Sequence, residues 1–405
     1  MQSATEPVRT LNPIPRRRIG RRTGILLLAC SCHGSNQPAG VAPAHLDWSP
    51  VREYLDSAIA AGAAPGAVLG VSYAGHHFYY GTGRLGQDDA TRPDSLTLYD
   101  LASVTKVVGL TTTVMLAVNE GKLSLDDTVS QLLPAFSGAG KAGVTIRHLL
   151  THSSGLPGWH PLYKETTTRA EAMAMADTIP LDTVPGTRFV YSDLGAIVLT
   201  QVVERLYGER IDSLLQQRVF GPLGLSSTRY LPPAAWIPRI APTENDPWRG
   251  RVLRGEVHDE NASRLDGVSG HAGLFSDATD LLAFADWMLS GVESAAPAEN
   301  QPALASDQPK FLGWFTAPQN IPPGSSRALG WDTPSGISSS GTKFRPGSFG
   351  HTGFTGTSIW VDPSRRLAIV LLSNRVHPTR ENQRWTGVRG AVADLVVGVL
   401  EPAAR

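Results

Sequence analysis

Segments that read as β-strands lie near the two ends of this chain, and the long stretch between them reads mainly as helix. Near the start, Gly66 to Tyr73 and His76 to Gly83 look like a strand pair around Ala74-Gly75. Near the end, Ser358 to Pro363 and Arg366 to Asn374 look like a second pair, joined at Pro363-Ser364. Helical spacing of apolar residues marks Pro50 to Ala61, Leu194 to Tyr207, Arg210 to Val219, Ala278 to Leu289 and Gly387 to Leu400. Strands so far apart share a sheet only if the chain closes on itself. The expected fold is therefore α+β: one antiparallel sheet built from both termini and flanked by helices, with a mostly helical subdomain inserted. Residues 47–100 and 325–400 would supply the sheet part, and 101–324 the helical part. The Pro/Ala-rich stretch Ala295 to Pro309 reads as an insertion loop.

At 405 residues and 41% hydrophobic, the chain can bury a large core. Lys plus Arg equal Asp plus Glu, 36 each, so bulk charge gives no reason to expect a nucleic-acid partner. The basic residues are uneven, however: Arg16, Arg17, Arg18, Arg21 and Arg22 crowd the N-terminus, and Gly24 to Cys30 is apolar. That order fits a bacterial export signal. Leu27-Leu28-Ala29-Cys30 further resembles a lipobox, which implies membrane attachment through a lipidated Cys30. The apolar core is short for a signal, ~7–15 residues being usual, and an unstructured basic tail would read alike. Residues 1–46 are read as leader and linker, and the expected location is the periplasm or cell envelope. Cys30 and Cys32 are the only cysteines, so no disulfide staples the body of the protein.

Ser103 and Lys106 stand where an apolar run, Leu96 to Ala102, meets a longer one ending at Gly121. The first reads as a short buried strand or extended segment, the second as a buried helix with a glycine terminator. Residues three apart on a helix share a face, so the lysine amine can assist the serine hydroxyl as a nucleophile. A helix N-terminus would also favour developing negative charge. An N-capping serine with an unrelated lysine gives the same spelling. So does Ser340-Gly341-Thr342-Lys343, whose glycine- and serine-rich context marks a surface loop.

Two further motifs follow in order. Tyr191-Ser192-Asp193 precedes a helix, and a phenol beside an ammonium can carry protons. Tyr54-Leu55-Asp56 has the same outline but sits on an amphipathic helix. Gly350 to Gly356 (Gly-His-Thr-Gly-Phe-Thr-Gly) precedes the Ser358 strand. A glycine-containing edge strand lets a substrate backbone approach closely, with His351 and Thr352 as polar contacts to a substrate carboxylate.

Ser-Val-Thr-Lys, Tyr-Ser-Asp and His-Thr-Gly, in that order, resemble the serine β-lactamase and penicillin-binding-protein superfamily. The likeness is greatest to its class C-type branch, and above all to penicillin-binding protein 4B-like DD-carboxypeptidases. Leu149 to Leu156, Gly255 to Ala262, Gly270 to Phe275 and Asn374 to Arg380 add to it. The resemblance implies a β-lactamase/transpeptidase-like fold over residues 47–400 and an acyl-enzyme on Ser103. Lys106 and Tyr191 would move protons, and the backbone N–H groups of Ser103 and Phe354 would form the oxyanion hole. Asp193, His351, Thr352 and Gly353 would contact substrate. No metal or organic cofactor is implied.

Expected substrates are D-Ala-D-Ala peptides, esters or β-lactams, with an esterase, a β-lactamase and a non-turnover β-lactam sensor as alternatives to the peptidase. Two departures bear on the choice. Asp193 stands where the family usually has Asn, and a carboxylate there would hold Lys106 charged. His351 stands where many β-lactamases have Lys. Both lower the expected turnover of β-lactams. His258 and His271 lie in motif-like runs, His271 reading as part of a tight turn in the site wall. Arg375 is open to two readings, a carboxylate anchor or an ordinary strand-end cation.

Overall fold

The computed structural model describes residues 46–293, 308–336 and 338–401. The leader with Cys30 and Cys32, and most of the 295–309 loop, lie outside the described residues. The strands are β1 (Gly66–Tyr73), β2 (His76–Gly83), β3 (Tyr99–Asp100), β4 (Arg229–Tyr230), β5 (Asn245–Asp246), β6 (Arg251–Val252), β7 (Leu274–Ser276), β8 (Phe349–Thr352), β9 (Ser358–Asp362) and β10 (Leu367–Ser373). Five of them form the main sheet, in the order β2-β1-β10-β9-β8, with every neighbour antiparallel. Both ends of the chain do build one sheet, and β10 sits at its centre.

Alternation along β1 and β10 explains why helices cover both faces. Val68, Ala368, Val370 and Leu372 point into the larger core, shared with the helix Ala278–Glu293 and the helical region. Ala67, Leu69, Val71, Leu367, Ile369 and Leu371 point the other way, onto the helices Ser49–Ala60 and Thr386–Leu400. Trp385, just before the latter, and Val388, Val392 and Val396 within it complete that second core.

The region between the terminal strands is less uniform than its composition suggests. Two small sheets, β3-β7-β4 and β5-β6, interrupt it. The helix Ala278–Glu293, in the stretch read as the helical part, packs on β1 and β10 instead. The run Leu96 to Ala102 is strand only at β3, and Leu96 is half exposed. After it the chain makes a 3-10 turn (Ala102–Val104), a π-helical segment (Lys106–Thr111) and the α-helix Thr112–Asn119. Gly121 follows with φ +66°, the left-handed exit expected of a helix terminator. Ser340 lies in a loop, but it is fully buried, not on the surface.

Candidate active site

Ser103 sits in the 3-10 turn that opens the long buried helix, directly after a strained residue. Ala102 has φ +44°, which costs an L-residue roughly 1–2 kcal/mol. Asp100 holds it there: its Oδ1 accepts from the Ala102 N–H at 2.8 Å, and its Oδ2 from the His258 N–H at 2.7 Å. The strain is thus fixed by two elements, a strand end and a distant loop, and it sets the direction of the next side chain.

Lys106 is almost fully buried, and its Nζ has three oxygen neighbours. It donates to Ser103 Oγ at 3.0 Å and to the His271 carbonyl at 3.0 Å, and it pairs with Asp193 Oδ1 at 2.6 Å. The serine and the carbonyl take two of the ammonium's N–H bonds, and the Asp193 carboxylate supplies the opposing charge beside them. Burial alone would drive the Lys106 pKa down, but the charge of Asp193 and the neighbouring Tyr191 outweigh it and hold the pKa above the ordinary lysine value. Lys106 therefore meets Ser103 as a proton donor. Asp193 begins the helix Asp193–Tyr207, whose cap is Ser192 Oγ accepting from the Gly195 N–H.

Tyr191 lies over this ammonium, which is 5.0 Å from its ring centre, and its buried hydroxyl has no well-formed hydrogen bond. His152 grips the tyrosine from both sides. Its carbonyl accepts from the Val190 N–H at 2.8 Å, its Nδ1 from the Ser192 N–H at 3.1 Å, and its ring packs 4.5 Å from that of Tyr191. Burial, with the charges of Arg327 and Lys106, holds His152 neutral, well below the ordinary histidine pKa.

His351, on edge strand β8, is equally buried. Arg327 Nη2 donates to its Nε2 at 2.9 Å, so its proton is on Nδ1, donated to the Thr352 carbonyl at 2.8 Å. Burial and the Arg327 charge push its pKa well down. His351 is thus a neutral wall of the site.

The turn from β8 to β9 brings Phe354 beside Ser103. Gly353 is required there, because a Cβ would sit 2.3 Å from the Leu101 carbonyl. Thr355 Oγ1 donates to the Asp100 carbonyl at 2.7 Å and Thr357 Oγ1 to that of Leu101 at 2.9 Å, tying the turn to the segment before Ser103. Arg375 is neither a free strand-end cation nor an open anchor. Its Nε donates to the Phe354 carbonyl at 2.8 Å, its Nη1 to those of Arg380 and Asn382, and it lies under the Phe354 ring.

Two cavities meet at Ser103, Tyr191 and Phe354. One, of about 480 Å³, is lined by Arg327, Asp332, His351, Thr352, Gly353 and the arginines Arg375 and Arg389. The other, of about 330 Å³, is lined by Trp159, Tyr163, Asp193, His258, Asp259 and Glu260. His258 pairs with the buried Glu244 at 2.9 Å, and His271 with Asp259 at 2.9 Å, behind that wall. Ser103, Lys106, Tyr191, Asp193, His351, Thr352, Gly353 and Phe354 lie together at this one place, and Ser340 lies elsewhere. Sequence reasoning missed Arg327, Arg389, His152 and Asp259, although His152 and Asp259 lie inside stretches that carried the resemblance. A separate cavity of about 500 Å³ near Ile59, Arg84 and His377 contains neither serine nor lysine.

The beta-lactamase family model matches residues 51–393. The chain belongs to the beta-lactamase family. Among similar proteins of this family is an N-acetylmuramyl-L-alanine amidase of Bacillus subtilis, 34% identical, with 81% of this chain and 80% of that protein covered. A Salmonella schwarzengrund protein named for a D-alanyl-D-alanine carboxypeptidase is 32% identical, over 72% of this chain and 73% of its own length. The fold is that of a class C beta-lactamase from Rhodobacter sphaeroides, with TM-score 0.66 and 24% identity over 86% of this chain and 99% of the other. As a beta-lactamase-family chain, it carries the serine and lysine of the first motif and the tyrosine of the second in one cluster.

Proposed function

We propose that this protein is a serine acyl hydrolase of the DD-carboxypeptidase type, acting on cell-wall peptides. The observation that carries the reading is the contact of Ser103 Oγ with Lys106 Nζ at the junction of two cavities, with the ammonium against the Tyr191 ring. Ser103 Oγ attacks the substrate carbonyl carbon, the bond to the leaving amine breaks, and the hydroxyl proton passes to that amine. Lys106, held as an ammonium, steadies the developing charge, and Tyr191 Oη relays the proton. Water then cleaves the Ser103 ester. The N–H groups of Ser103 and Phe354 receive the oxyanion. Arg327 and Arg389 give the larger cavity a cationic lining that suits a substrate with a free carboxylate, and the amidase and carboxypeptidase names of the relatives point to peptidoglycan-derived amides.

An esterase reading is favoured by one feature, the aromatic wall of Trp159, Tyr163 and Phe354, which suits an apolar acyl group. Mass spectrometry of the intact protein with a penicillin, a D-Ala-D-Ala peptide and a nitrophenyl ester separates the readings. A short-lived adduct and peptide turnover are expected; nitrophenyl ester turnover with no peptide release would replace the peptidase by the esterase. The N-terminal residues further support export with lipidation at Cys30, which a Cys30→Ala chain retained in the soluble fraction would test.

A further inference from the structure

We propose that Arg389, in the first turn of the C-terminal helix, is a positioning residue that aims and polarises the oxyanion-binding N–H of Phe354. This inference rests on the acyl-hydrolase reading above. Arg389 Nη2 donates to the Gly353 carbonyl at 2.7 Å. That carbonyl belongs to the same peptide unit as the Phe354 N–H. A cationic donor on the oxygen of an amide draws electron density toward it and makes the N–H at the other end a stronger donor. It also fixes the plane of the peptide, and therefore the direction of the N–H.

The rest of the turn is restrained in the same way. Trp385 Nε1 donates to the Gly356 carbonyl at 2.8 Å and Arg375 Nε to that of Phe354 at 2.8 Å. The Gly353 N–H goes to the Thr357 carbonyl at 2.8 Å and the Gly356 N–H to that of Gly353 at 3.1 Å. These bonds close the turn without using the Phe354 N–H.

Arg389 breaks three local rules. A cation in a helix's first turn opposes the helix dipole. Among the described residues it has no carboxylate partner, and its Nε is buried with no hydrogen bond. Arg375, its neighbour in the same cavity, is another cation, and burial with that neighbour's charge pulls the Arg389 pKa down to about 10. Such uncompensated placement is characteristic of residues kept for function. An apolar residue would satisfy the helix better, but would leave the Gly353 carbonyl with only the neutral 3.1 Å bond from the Gly356 N–H and no cationic donor.

The test compares Arg389→Met and Arg389→Lys with the unmodified protein, using the full chain. Three readouts are taken: kcat and KM for a nitrophenyl ester, affinity for a boronic acid that mimics the tetrahedral oxyanion, and melting temperature. Removing a direct oxyanion donor costs on the order of 10²–10³ in rate, so an indirect support is expected to cost about tenfold to a hundredfold. Arg389→Met should lower kcat by that factor with KM nearly unchanged, and weaken the boronate in proportion. Arg389→Lys, which keeps a cationic donor, should recover most of the loss, and it carries the test if the Met variant does not fold. Unchanged kcat and boronate affinity, or a rise in KM alone, would overturn the proposal. So would a Lys variant that melts normally yet gains nothing over Met. Ser103→Ala, run in parallel, separates the two levels: if it retains turnover, the acyl-hydrolase reading itself fails.

Discussion

Ser103 and Ser340 are each followed three residues later by a lysine, and the two sites show what that spelling needs around it. At Ser103 the chain is already helical, so Lys106 turns back under the same face and its Nζ reaches the serine. At Ser340 the chain turns through Gly341, at φ +73°, and the N–H groups of Thr342 and Lys343 are taken by Asp394 Oδ1. Lys343 is exposed and runs out over Gly398, while the buried Ser340 hydroxyl turns to the Gly341 carbonyl. Depth does not distinguish them, since Ser340 is the more buried. The difference is made by backbone conformation and by a second and third element, which bring Asp193 and His271 to Lys106.

The largest expected effect is at the serines themselves. Ser103→Ala should abolish labelling by a fluorescent penicillin or fluorophosphonate, whereas Ser340→Ala should label normally; labelling that persists on Ser103→Ala would break the comparison. Next come the lysines. Lys106→Met should lower the acylation rate by about 10²–10⁴-fold, the range typical of a lost proton-transfer or charge partner, and Lys343→Met should not change it.

A smaller effect is expected at Asp193. Its charge helps keep the Lys106 pKa raised against the opposing effect of burial. In Asp193→Asn that support is gone, the Lys106 pKa falls, and more neutral amine is present at a given pH. The alkaline limb of the kcat/KM profile, where the ammonium is lost, should therefore move to lower pH, with a change of about tenfold or less at neutrality; a limb that stays in place would show that Lys106 does not govern it.

The smallest effect is on stability. His351 is held neutral in the folded protein, with its pKa well below the 6.5 it has when unfolded. Between those values the unfolded chain binds the extra proton, so stability is lost as pH falls below about 6.5. His351→Gln should flatten that dependence by up to about 1.4 kcal/mol per pH unit, measured by denaturant unfolding at several pH values. An equal change of slope in Lys343→Met would remove the contrast between the two regions.

The parts of the fold carried by long periodic segments were legible in the sequence. β1 and β2 run as their spacing predicts, and the C-terminal helix starts within a residue of its expected place. The short strands β4 to β7 were not legible, since two or three residues give no period to read, and β3 takes up only two residues of the run from Leu96 to Ala102 that reads as strand or extended segment. The site was legible where a motif is local, as in Ser103 to Lys106. It was illegible where tertiary contact decides the matter. Nothing near Ala102 announces a left-handed alanine, because the carboxylate that holds it is itself held by His258, far along the chain. Nothing in the Gly387 to Leu400 helix pattern marks Arg389; only the β8–β9 turn beside it does.

The central position of β10 has a consequence for how the molecule is made. Val71 of β1 pairs with Ile369 of β10, so the middle of the sheet joins residues from opposite ends of the chain. Such distant pairing is slow to form, because the loop-closure entropy is spent before the contacts are gained. The ladder that orders β9, and through it the Phe354 turn, cannot close until β10 has been made. A chain that stops before Leu367 keeps its Ser103 but lacks the strand on which the rest of the proposed catalytic surface is assembled, so the nucleophile is armed only once β10 is in place.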